Sequence, residues 1–185
     1  MSFLTFIISQ IASIYSMLLL LRVWMQWSRC DYYNPFAQFI VKVTQPVVKP
    51  FRRIIPAIGP IDTASIVVAF IILTAYRPIM LLLTGASIQG DLLIYLIIGV
   101  ASLLKTTGSM IFWVLIIRAI MSWISQGRSP VDHLLYQLSE PLMAPVRRII
   151  PTFGGLDFSV MIILFALTAL NMLGYDILGP IWGML

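Results

Sequence analysis

The sequence predicts an all-α membrane protein: four transmembrane helices in two parallel repeats, each with a cytoplasmic interfacial amphipathic helix between its spans. Three observations predict it. Apolar residues make up 60% of the chain and charged residues only 10%, and a mean hydropathy of +0.98 lies far outside the range of soluble domains. One block of prolines, arginines and glycines occurs twice in register. Finally, the basic residues gather in the two long connections between apolar runs and are missing from the short turn and both ends.

The first copy of the block runs from Arg22 through Trp27, Asn34-Pro35, Gln45-Pro46 and Pro50-Phe51-Arg52-Arg53-Ile54-Ile55-Pro56 to Gly59 and Asp62. The second runs from Arg118 through Trp123, Ser129-Pro130, Glu140-Pro141 and Pro145-Val146-Arg147-Arg148-Ile149-Ile150-Pro151 to Gly154 and Asp157. From the first proline onward the register is unbroken, and one residue is missing from the second copy before it. Chance does not align so many prolines and arginines, so the chain is a tandem duplication. Residues 1–90 form the first repeat and 91–185 the second.

Phe3 to about Trp27 is an apolar run long enough to cross the ~30 Å hydrocarbon layer as a helix, with Trp24 and Trp27 placed for the interface. No short basic region precedes it, so it reads as a retained span. Gln10 and Arg22 interrupt it. Arg22, one or two turns from the exit, is read as snorkelling to the headgroups, with a buried ion pair as the alternative.

Asn34-Pro35 and Ser129-Pro130 each combine an N-cap residue with a proline at the first helical position, where its missing N–H costs nothing. After them, Phe36, Phe39, Ile40 and Val43 share a helical face, as do Val131, Leu134, Leu135 and Leu138. The spacing predicts two amphipathic helices, at about 35–45 and 130–140, too short to span and suited to the membrane surface. Pro46 and Pro50, like Pro141 and Pro145, are expected to end them.

The arginine pairs, Arg52-Arg53 and Arg147-Arg148, stand between apolar neighbours. Two readings compete: guanidinium groups meeting lipid phosphate or a protein partner, and plain positive-inside topology signalling. Asp62 and Asp157 follow a glycine turn where the next spans start. Each can cap its helix or pair with an arginine and lock the loop to the bundle.

The second span is expected at about 61–83, with Pro78 kinking it and Arg77 near its far end. The repeat equivalent of Arg77 is Met172, beside Asn171, so this charge lies outside the repeated plan. The run 92–123 is too long for one straight crossing. Its crossing part is placed at about 99–123, with a tilt, extension or break near Lys105-Gly108. Lys105 is read as snorkelling in preference to a proton or ion relay. The last span is placed at 158–173, followed by an interfacial tail.

Lys and Arg counts put both long connections in the cytoplasm and both termini in the periplasm of a cell inner membrane. Two spans separate the copies, so both insert the same way round, with a pseudo-twofold axis along the membrane normal. The formal charge of +5 is attributed to topology and anionic lipid, and no direct nucleic-acid partner is expected. Cys30 is the only cysteine and His133 the only histidine. That composition rules out an internal disulfide and any thiolate cluster or bis-histidine site built by this chain alone, and no cofactor is expected.

The arginine-tryptophan exit, the Asn-Pro or Ser-Pro helix start and the Pro-x-Arg-Arg-x-Ile-Pro-x-x-Gly-x-x-Asp block resemble the YggT family of small integral membrane proteins. Trp24-Met25-Gln26-Trp27, Asp31 to Phe36 and Met121 to Pro130 look like its two-repeat proteobacterial form. The resemblance covers nearly the whole chain. It implies association with cell division, nucleoid or septum organisation, assembly of cytochrome b6 in plastids, or tolerance of osmotic and potassium stress. It brings no catalytic residues.

The leading expectation is a non-enzymatic scaffold or assembly factor whose partners are anionic headgroups and a membrane or cytoplasmic protein, with self-association as a further option. The alternative is an osmotic-stress-linked transporter or small channel in which Gln10, Arg22, Lys105, Arg118, Arg77 and Asn171 face an internal path. Four spans enclose little volume, and the charges within them are cationic, which is unfavourable for conducting potassium.

Overall fold

A computed structural model describes residues 3–85, 87, 91–124, 129–150 and 158–185. Its helices are α1 (Phe3–Trp27), α2 (Pro35–Phe51), α3 (Thr63–Leu83), α4 (Leu92–Ile124), α5 (Pro130–Ile149), α6 (Ser159–Leu178) and α7 (Pro180–Gly183). No strand occurs among the described residues. Four of the helices, α1, α3, α4 and α6, are long and apolar enough to cross a membrane, which makes the chain a multi-pass membrane protein. In such a solvent the helix is the natural state of an apolar segment, because it satisfies every backbone group internally.

The lengths differ from the sequence expectation in three places. First, α2 and α5 do not stop at 45 and 140; they run on to Phe51 and Ile149 with Pro46, Pro50, Pro141 and Pro145 inside them. The prolines of each pair are four residues apart, so the bonds they delete lie along one stripe, and Pro46, Pro50 and Pro145 are exposed there. Backbone bonding resumes after each pair, with Arg52 N–H donating to the Val48 carbonyl at 3.0 Å and Ile150 N–H to Val146 at 2.9 Å. A proline therefore costs little when the carbonyl it orphans faces outward.

Second, α4 is one unbroken helix of 33 residues, or about 50 Å. There is no break at Lys105-Gly108, and nothing lies within 4 Å of where a Gly108 side chain would begin. Third, α6 continues five residues past 173, to Leu178. Gly179 then turns at φ 57° and α7 folds back. Trp182 lies against Gly174, where a side chain would collide with the indole, and its Nε1 donates to the Asn171 side-chain oxygen at 2.8 Å.

The described residues form two compact units, and these do not follow the repeat boundary. Unit 1 contains 1–23, 40–107 and 185; unit 2 contains 24–39 and 108–184. Unit 1 is packed on Leu19, Leu20, Ile40, Val48, Val68 and Ala69. Unit 2 is packed on Trp24, Met25, Ala37, Leu115, Leu134, Leu138 and Met143.

The first connector belongs to unit 2 because its polar groups bond to α5. Ser28 donates to the Leu138 carbonyl at 3.5 Å, Asp31 N–H to the Gln137 side-chain oxygen at 2.9 Å, and the Asn34 amide to the Pro130 carbonyl at 2.6 Å. The connector is set for this by the end of α1. There Arg29 takes φ 52°, while Cys30 N–H bonds back to Met25 and Arg29 N–H to Gln26, a Schellman closure with arginine in the place of the usual glycine.

Candidate functional site: a duplicated arginine cluster

The face of α2 covered within the protein is only part of its apolar face. Phe36 and Phe39 are exposed, and the covered stripe is Ala37, Ile40, Thr44 and Val48. Threonine sits in that stripe because it meets Arg22. Arg22 Nη1 donates to the Thr44 hydroxyl at 2.8 Å and Nη2 to the Gln45 side-chain oxygen at 2.6 Å. Thr44 passes its own proton to the Ile40 carbonyl at 2.7 Å.

Arg22 and Asp62 are 2% and 0% exposed, and Arg22 Nε lies 3.2 Å from Asp62 Oδ2. Of the two sequence readings for Arg22, the geometry places it in a buried ion pair. Asp62 is held here by the turn before α3. Ile58 and Ile61 exchange two backbone bonds around Gly59, which adopts φ 57°, a conformation suited to glycine. That turn brings the carboxylate back under the end of α2, where Arg52 grips both oxygens, Nε to Oδ1 at 3.2 Å and Nη2 to Oδ2 at 2.5 Å. The Ser65 hydroxyl adds a donor at 2.8 Å. Asp62 stands at the N-cap position of α3 but makes no capping bond with its side chain, since its oxygens are committed to the arginines and Ser65.

Burial would raise the Asp62 pKa, but the hydrogen bonds from Arg52 and Ser65 and the charges of Arg52 and Arg22 outweigh it and hold the carboxyl below its ordinary value. A depressed carboxylate contributes stability that is fully present above its unfolded pKa of about 4 and is lost as pH falls through the folded value. Wild type should therefore exceed Asp62→Asn in thermal stability by a constant margin above about pH 4, and the margin should close below it. A detergent-solubilised Tm series from about pH 2 to 8 checks this; a margin as large at the acid end as at neutral pH would contradict the ion-pair assignment.

The second repeat builds a related cluster in unit 2. Arg118 donates to Ser139, the repeat equivalent of Thr44, with the Met143 sulfur alongside. Its guanidinium stacks 5.1 Å from the centre of the Tyr136 ring. Glu140 stands where Gln45 stood, and Arg147 pairs with it at 2.6 Å. Among the described residues Arg118 thus meets a hydroxyl and an aromatic face, and Arg22 a hydroxyl, an amide and a carboxylate. Asp157, the repeat equivalent of Asp62, lies outside the described residues.

The two members of each arginine pair separate. Arg52 and Arg147 are ion-paired to carboxylates, Arg52 while itself exposed and Arg147 half-buried, and Arg53 and Arg148 are exposed. Ile54 and Ile149, beside them, are 82% and 80% exposed. Among the other sequence candidates, Asn171 is bonded to Trp182, Gln10 is exposed on α1, and Lys105 and Arg77 are partly covered on α4 and α3. The Cys30 thiol is pushed up to about 11 by burial, so at neutral pH it is protonated and a poor nucleophile. No group of three or more His, Cys, Asp or Glu side chains that could hold a metal occurs among the described residues.

Thr44, Gln45, Ser139, Glu140 and Tyr136 carry this site without having been singled out in the sequence. The signal was present: a hydroxyl residue followed by an amide or acid stands directly before the aligned prolines 46 and 141.

The CCB3/YggT family profile matches residues 1–83 and 97–178, one segment for each copy of the block. The chain belongs to the CCB3/YggT family. An uncharacterised protein YggT of Escherichia coli K12 is 53% identical over 172 residues, covering 93% of this chain and 89% of its own. An uncharacterised Vibrio alginolyticus protein from the proC 3' region is 47% identical over 185 residues, covering 98% of both. A Pseudomonas aeruginosa relative is 40% identical over 183 residues, covering 97% of this chain and 91% of its own. No solved structure matches. Each YggT copy in this chain supplies an apolar span with an arginine near its end, an amphipathic helix, and an arginine pair whose first member is ion-paired to a carboxylate.

Proposed function

We propose that this protein is a non-enzymatic scaffold or assembly factor of the cell inner membrane. In this reading both termini are periplasmic, and α2 and α5 lie at the cytoplasmic surface. They recruit anionic headgroups and a protein partner, in a role linked to cell division or to envelope and osmotic homeostasis. The observation that carries it is the splitting of each arginine pair. Arg52 and Arg147 hold the end of the amphipathic helix by ion pairs, which leaves Arg53 and Arg148 presented beside the exposed Ile54 and Ile149. A cation flanked by apolar side chains suits a surface where phosphate lies above hydrocarbon. Lys42 and Lys49, also exposed on α2, extend the basic face.

The transporter alternative draws less support, because three of the six polar side chains it would need along a path are already engaged. Arg22 is bound to Asp62, Arg118 to Ser139 and Asn171 to Trp182.

The test is quantitative crosslinking and pull-down from native membranes with wild type and the double variant R53Q/R148Q. Each outward guanidinium lost should remove roughly 1 kcal/mol of attraction to an anionic surface, so recruited partner and co-purified anionic lipid should fall several-fold while insertion is unchanged. Equal recruitment by the two proteins would rule the reading out.

A further inference from the structure

We propose that the far end of α3 forms a binding site for a phosphate group, built on Arg77 and Thr74. It is separate from the duplicated cluster and does not rest on the scaffold reading: the repeat equivalents of these residues are Met172 and Ala169, so the site occurs once. Arg77 lies fifteen residues beyond Asp62, about 22 Å along the helix, and about two turns before α3 ends. At that depth a long side chain reaches the headgroup layer opposite the arginine pairs.

Two buried polar groups here are unspent. Arg77 Nη2 is buried with no hydrogen-bond partner, and so is the Thr74 hydroxyl. Among the described residues no carboxylate pairs with Arg77, although Arg22, Arg52 and Arg147 each have one. Thr74 is equally unlike other threonines of this chain. Thr44, Thr84, Thr107 and Thr168 each bond to the carbonyl four residues earlier, the usual refuge for a hydroxyl in an apolar helix, and Thr74 does not.

Thr74 and Arg77 are one turn apart and share a face of α3. That face meets α4 at Gly99, where a side chain would collide with the Thr74 hydroxyl and crowd the Phe70 ring. The missing Cβ leaves room for the hydroxyl beside the Phe70 ring. A buried guanidinium nitrogen and a buried hydroxyl without partners are rare in a folded protein. An anion with several acceptor oxygens satisfies both, and the planar guanidinium fork matches phosphate. The phosphodiester of a phospholipid is the source the depth favours; free inorganic phosphate offers the same chemistry.

Native mass spectrometry of the full-length protein in detergent, titrated with phosphatidylglycerol, tests the site in wild type, R77Q and T74V. A hydrogen bond to a charged group predicts roughly ten-fold weaker retention in R77Q, with T74V intermediate. T74V keeps the cation and serves should R77Q fold poorly. In a parallel arm, millimolar inorganic phosphate is added to lipid-stripped protein. A rise in Tm for wild type and none for R77Q would assign the same site to the free anion. Equal lipid retention by wild type, R77Q and T74V, with no Arg77-dependent phosphate effect, would overturn the proposal.

Discussion

Replacing Asp62 with Asn is expected to cost about 3–5 kcal/mol of stability, the range for removing one partner of a buried ion pair. The reason is what remains. Arg22 has no exposed surface to retreat to, and its charge would stay buried beside the Thr44 hydroxyl and the Gln45 amide with no carboxylate at Asp62 to balance it. Arg52, being half-exposed, can swing into water, so the penalty belongs mainly to Arg22. The double variant Arg22→Met with Asp62→Leu should recover most of the loss, because a packed apolar pair often matches a buried ionic one. Reversible unfolding in mixed micelles measures all three. A cost under about 0.5 kcal/mol for Asp62→Asn, the scale of an ordinary surface change, would show that Asp62 does not neutralise Arg22.

Leu138→Ala should cost about 2–5 kcal/mol, the range for truncating a core leucine. Leu138 is fully buried in unit 2 together with Leu134, Leu135 and Met143, and the backbone carbonyl of the same residue accepts from Ser28. A cavity there removes contacts on the covered face of α5 and loosens the seat of the connector. Ile149→Ala, at the exposed end of the same helix, removes a similar volume and should change stability by less than about 0.5 kcal/mol. The same unfolding assay compares them. Equal effects at the two positions would mean that the Leu138 face is not packed.

The contrast between these two leucine-rich and arginine-rich sites explains what could be read from the chain. Periodicity assigned Leu134, Leu135 and Leu138 to the covered face of α5, because there the inward residues are all apolar. It does not show the covered stripe of α2, which includes Thr44, a residue that a hydrophobic pattern scores as outward, while Phe36 and Phe39 of the apolar face are exposed. In a membrane protein an exposed phenylalanine carries no penalty when its surroundings are themselves apolar. The proline positions misled for a related reason. A proline in sequence says which bond is lost, but the cost depends on which side of the helix the orphaned carbonyl faces.

By itself the sequence determined the duplication, the all-helical class, the four apolar spans and the family, since these depend on hydropathy over windows of about 20 residues and on motif register. Tertiary structure alone decided which arginine of each pair takes a carboxylate, that Arg22 meets Asp62 across forty residues, that the prolines stay within their helices, and that no carboxylate among the described residues pairs with Arg77. These are outcomes of where a side chain's polar atoms find partners. Identical Arg-Arg dipeptides encode no such choice, and only the folded positions of Asp62 and Glu140 supply it.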